Sequence, residues 1–137
     1  MNVTEAETEA RKSWMGLLAR APAARLEALL GAVGGLPEFG WLRAPEVGGV
    51  MVRGRMGGTG AAFNLGEMTV TRCALRLADG AVGHGYVQGR DKAHAQRAAL
   101  VDALMQGARA GELRDKVLTP LEDEMTAARS ARAARAE

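Results

Sequence analysis

The sequence holds one cysteine, Cys73, and two histidines, His84 and His94. A lone thiol forms no intrachain disulfide. Zinc and iron-sulfur sites need several convergent ligands, and neither HxxH nor HExxH spacing relates the histidines, so no metal centre made by this chain alone is expected. Aromatic residues are equally scarce, with two Phe, two Trp and one Tyr in 137 residues. The core must come mainly from Leu, Val, Met and Ala, which bury less area per residue. The same scarcity weighs against a small basic nucleic-acid-binding module, because single-strand readers stack bases on aromatics. No apolar run approaches the roughly 20 residues that span a bilayer. The polar, acidic N-terminus with Glu5, Glu7 and Glu9 lacks the basic start and apolar run of a secretory signal. A soluble, cytoplasmic chain is the expectation.

The chain is 47% hydrophobic and 25% charged, which suits one compact domain with a modest core. Its net charge of +2 is spread along the sequence, too weak a bias to mark a nucleic-acid footprint. Three parts are expected: a helical N-terminal arm over 1–33, a sheet over 34–90 and C-terminal helices over 91–137. Thr4 with Glu7 forms a capping box, followed by Ala6, Ala10, Trp14, Leu17 and Leu18 at helical spacing. Pro22 opens a second short helix, with Leu26, Leu29 and Leu30 as its apolar stripe and Gly31 as a left-handed terminator.

From Gly34 to Gly89, glycines punctuate short apolar runs, predicting strands near Glu38 to Arg43, Gly49 to Arg55, Glu67 to Leu77 and Ala81 to Gln88. Asp79-Gly80 suits a two-residue hairpin turn. That register sets Cys73 opposite Tyr86, Leu75 opposite His84 and Leu77 opposite Val82 on a buried face, making His84 a hydrogen-bonded core residue. Arg72, Ala74 and Arg76 with Gly83, Gly85 and Val87 then form an open face, able to receive an anion or another chain. Asp91 caps the next helix, with Leu100, Val101, Leu104 and Met105 on its core side and Asp102, Gln106 and Arg109 on the other. Thr119, Pro120 and Glu122 signal the start of a last helix. The class is α/β of the α+β type: a small, mainly antiparallel sheet of about four strands with helices at both ends of the chain.

Two glycine-basic segments stand out as candidate sites. RMGGTG contributes Arg55, Gly57, Gly58, Thr59 and Gly60; VQGRDKAHAQR contributes Gly89, Arg90, Lys92, His94 and Arg97. The second runs from a strand into a helix start, where unpaired amides and the helix dipole favour an anion. Neither is a P-loop or a GxGxxG fingerprint. RMGGTG reads alternatively as a sharp turn or a close backbone approach, the second segment as a solvated helix start with arginine stems over the core, and either as a subunit interface. Cys73 reads as a small buried hydrophobe.

RMGGTG, the Thr71-Arg72 pair, LADG with the following Gly83, and VQGRDK with His94, Arg97 and VDALMQ together resemble the G subunit of the bacterial carbon-phosphorus lyase machinery, the phosphonate metabolism PhnG family. The likeness runs from about Trp14 to Gln106. It implies a subunit of a two-fold core with H, I and J subunits, joined by ATP-binding-cassette-like K and L subunits. With H, I and L, the family is implicated in replacing the adenine of ATP by a phosphonate, giving ribose 1-phosphonate 5-triphosphate. ATP and phosphonate are then substrates of the complex, and the iron-sulfur cluster belongs to the J subunit. No cofactor is implied for this chain itself and no catalytic residue carries over. An accessory role is one expectation; direct holding of the triphosphate or phosphonate by Arg90, Lys92, His94 and Arg97 is the other. Whether the chain takes part in catalysis stays open at this point, and the isolated chain is a candidate homodimer.

Overall fold

The computed structural model describes residues 4–55 and 62–136, with side chains over 4–53 and 66–136. Helix α1 spans Glu5–Arg20 and is capped by Thr4, whose hydroxyl accepts from the Glu7 amide at 3.1 Å, the half of the capping box that forms. Helix α2 spans Ala23–Gly31. Its end is right-handed at Ala32, and the positive φ falls later, at Gly35, so Gly31 is not the left-handed terminator.

Strands β1, Phe39–Arg55, β2, Ala62–Leu77, and β3, Val82–Gln88, form an antiparallel sheet in the order β1-β2-β3. The two strands expected between Glu38 and Arg55 are one long strand. Its register shifts between Trp41, Arg43 and Glu46, around Pro45, which bonds no ladder through its nitrogen. β3 covers β2 only as far as Val70, opposite Gln88. Beyond that point Gly49–Arg55 and Ala62–Thr69 continue as a two-stranded ribbon.

The β2-β3 turn is one residue longer than Asp79-Gly80 alone. Leu77 donates to the Ala81 carbonyl at 2.9 Å, Gly80 donates to Leu77 at 3.0 Å, and Gly80 takes φ +95°. A one-residue change in register moves every side chain of a strand to the opposite face. Cys73 therefore faces Gly85 and Leu75 faces Gly83, while Arg72 faces Tyr86, Ala74 faces His84 and Arg76 faces Val82. The glycines lie on the buried face; His84 is exposed on the other.

Helix α3, Lys92–Leu104, packs on that glycine face. A Cβ on Gly83 would overlap the Ala99 carbonyl oxygen, and one on Gly85 that of Ala95, so bare backbone lets helix and sheet approach closely. The Cys73 thiol donates to the Ala95 carbonyl at 3.3 Å in this contact. The other side of α3 meets α1 and α2, which leaves it buried nearly all round.

After α3 come α4, Ala110–Leu113, a π-helical turn, Arg114–Leu118, and α5, Thr119–Ala136. The last helix does begin at Thr119, as its residues predict, but Thr119 is itself helical and continues the preceding turn instead of capping from outside. Pro120 cannot donate to a carbonyl four residues back and its ring crowds that carbonyl. The widened turn just before it, in which the Thr119 amide reaches Arg114, is the local response. Leu113, Val117, Leu118 and Leu121 from this stretch complete one core with Leu18, Leu26, Leu75 and Val101.

Candidate functional site

The start of α3 is the better described of the two glycine-basic segments. β3 hands over to it at Gly89, whose φ of +98° requires glycine. Gly89 is pinned at both polar groups: its amide donates to Thr69 at 2.8 Å, and its carbonyl accepts from the Thr71 hydroxyl at 2.7 Å. The Asp91 carboxylate accepts from the His94 amide at 2.9 Å, so the chain itself supplies an anion to the first turn.

The side chains of this segment do not converge. Arg90 and Lys92 are exposed, whereas the His94 ring is buried and its Nε2–H donates to the Leu18 carbonyl at 2.8 Å, tying α3 to α1. Arg97 turns towards Glu27 on α2, at 3.7 Å. Of the first segment, Arg55 ends β1 opposite Ala62, while Gly57, Gly58, Thr59 and Gly60 lie outside the described residues. Gly89 meets β2 at Thr69, seven residues from Ala62, about 23 Å of extended strand. The backbones of Arg55 and Gly89 are therefore far apart along the sheet.

The most elaborate polar arrangement is centred on Asp102, which the amphipathic reading of α3 placed on its outer side. Asp102 is fully buried. One oxygen accepts from Arg11 Nε at 3.1 Å and Trp14 Nε1 at 2.8 Å; the other accepts from Arg11 Nη2 and the His84 amide, both at 2.9 Å. The hydrogen bond to Asp102 holds the Arg11 guanidinium above its ordinary pKa, outweighing partial burial. Arg11 also donates to the Val82 carbonyl at 3.3 Å, as does Gln106 at 2.8 Å. With the bond to the His84 amide, these cover the first part of the outer edge of β3. Their sequence signal is indirect: alanines at 95, 98, 99 and 103 surround the helix, and an acid among them is inside. Every donor to this carboxylate is structural, which suits a clamp between α1, α3 and β3.

Cys73 is buried at 3% exposure, and that burial raises its thiol pKa. This is the reverse of what a nucleophile needs. The uncovered sheet face carries Arg43, Arg72, Arg76, His84 and Tyr86, all exposed, with Val70 and Ala74 buried between them. Among the described residues no three His, Cys, Asp or Glu side chains are grouped to hold a metal. Likewise among them, no helix is long and apolar enough to cross a membrane.

The arrangement is that of a small α+β domain whose sheet is packed on one face, bare and basic on the other, and prolonged into a ribbon. The model of the family described as phosphonate metabolism protein PhnG matches residues 9–137, and the chain belongs to that family. It is also similar to the alpha-D-ribose 1-methylphosphonate 5-triphosphate synthase subunit PhnG of Rhizobium meliloti (strain 1021), with 51% identity over 98 residues. That match covers 72% of this chain and 63% of the relative, so the matched segment spans less than two thirds of the relative's length.

Proposed function

We propose that this chain is an accessory subunit of a carbon-phosphorus lyase core, required for forming ribose 1-phosphonate 5-triphosphate from ATP and a phosphonate without itself doing the chemistry. The observation that carries this reading is the family match over residues 9–137, and the ribbon of Gly49–Arg55 with Ala62–Thr69 fits a chain that needs a partner. A two-stranded ribbon is marginal in water unless something packs on it, and Met51 stands 52% exposed there. The relative's description as a synthase subunit supports membership of a complex. H, I and J subunits are the proposed neighbours, with K and L joining them; the iron-sulfur cluster resides on J.

The exposed Arg90 and Lys92 at the start of α3 support a second reading, in which this chain holds the triphosphate or phosphonate directly. Reconstitution separates the two. The isolated chain should neither hydrolyse ATP nor release adenine, and its omission should abolish product formation by the remaining subunits. Turnover by the chain alone would overturn the accessory role. Loss of turnover on Arg90→Ala in a fully assembled complex would favour direct binding.

A further inference from the structure

We propose that the bare face of the sheet is a protein-protein interface taking an acidic surface of a partner subunit, centred on Arg72 and Tyr86. The inference rests on the subunit reading above and adds where the partner sits and what chemistry it presents. Arg72 pairs across the sheet with Tyr86 on β3 and with Glu46 on β1. Arg43 lies opposite Ala74, and Arg76 lies between Gly40 and Val82. Three guanidinium groups thus share the face with one carboxylate. Among the described residues, none of Arg43, Arg72 or Arg76 has a carboxylate within 4.0 Å, whereas Arg11, Arg25 and Arg109 each do.

The same face continues onto the ribbon through Val50, Val52 and Met68, which are half-buried. It is therefore basic at one end and apolar at the other. Tyrosine, arginine and methionine are enriched at interface centres, and tyrosine offers a large contact area at low conformational cost. Charge complementarity selects an acidic occupant. A second copy centred on Arg72 is disfavoured, since a two-fold axis there would set arginines against arginines. A nucleic acid is disfavoured as well, because Tyr86 is the one aromatic on this face among the described residues.

The test is co-expression of the tagged chain with the H, I and J subunits, comparing the wild type with Arg72→Glu, Tyr86→Ala and, as a control on the helical side, Arg114→Glu. The wild type and Arg114→Glu should recover the partners equally. Arg72→Glu should weaken recovery by about thirtyfold or more, the scale of an interface hot spot, and Tyr86→Ala should act in the same direction. Both isolated variants should keep the wild-type circular dichroism and melting temperature, since their side chains are exposed. Partner recovery by Arg72→Glu at the wild-type level would overturn this face while leaving the subunit reading intact. A wild-type homodimer dissolved by Arg72→Glu would overturn it in favour of a second copy. Oligonucleotide binding lost in the same variant would overturn it in favour of nucleic acid. Failure of the wild type to recover any partner would overturn the subunit reading and this inference together.

Discussion

The Trp14 indole N–H donates to the Asp102 carboxylate at 2.8 Å, across 88 positions of sequence. Arg11, one turn earlier on α1, grips the same carboxylate through two nitrogens, so a single helix face presents three donors to one buried acid. The fourth donor is the His84 amide on the edge of β3. The first helix, the central helix and the sheet edge are thus locked by one side chain.

Removal of that acid should be severe. Asp102→Ala leaves the Trp14 and His84 N–H groups without their acceptor and Arg11 without its counter-charge, and about 3–5 kcal/mol of stability should be lost. Asp102→Asn, which keeps one oxygen, should lose less. Urea unfolding followed by tryptophan fluorescence measures both; a loss below about 1 kcal/mol for the alanine variant would show that the clamp contributes little.

The glycines beneath α3 give a second expectation. Gly83→Ala drives a methyl group into the Ala99 carbonyl and to within 2.9 Å of the Ala103 Cβ, and helical backbone cannot step aside without opening the helix-sheet spacing. The cost should be about 1–3 kcal/mol, at roughly 4 °C of melting temperature per kcal/mol. Gly48→Ala is the comparison, because its added Cβ meets nothing within 4 Å. Equal melting temperatures for the two variants would contradict the close packing.

Cys73 should resist labelling. Burial raises its pKa, and its thiol donates to the Ala95 carbonyl, so little thiolate forms near neutrality. Iodoacetamide at pH 7.5 should modify the denatured chain readily and the native chain only through opening, at least a hundredfold more slowly by the equilibrium constants of ordinary domains. Similar native and denatured rates would contradict the burial.

Acid should act partly through α2 and α5. The Arg25 guanidinium holds the Glu124 carboxyl below its ordinary 4.5, and Arg109 with Lys116 does the same for Glu112. A carboxyl depressed in the folded state adds stability above its unfolded value, and that stability is lost as pH falls through the lower, folded value. Stability should therefore drop below about pH 4.5. Glu124→Gln should make the drop shallower; an unchanged acid profile would show that the exposed pair contributes nothing.

Local signals in the sequence were legible because each acts within a few residues. Thr4 and Asp91 cap the helices they were expected to cap, and the α+β class follows from where glycine punctuation gives way to helical spacing. The errors came from what neighbours decide. One residue in the Ala78–Gly80 turn reversed the faces of β3 and brought His84 outside. Amphipathic reasoning put Asp102 outward, although α3 is covered by the sheet on one side and by α1 and α2 on the other. Thr119 starts the last helix as expected, but the π-helical turn that leads into it has no simple residue signature, so the continuity with α4 was not legible. The glycine-basic segment at Gly89 was found as a conformational feature, but its ligand was read from residue types. The fold turns His94 towards α1 and Arg97 towards α2.

The most direct measurement of the central claim is the intact mass of the particle recovered through a tag on this chain after co-expression with the H, I and J subunits. One stoichiometric complex containing this chain and all three partners is the expected result. Recovery of the chain by itself, under conditions where the other three assemble with one another, would contradict the subunit assignment.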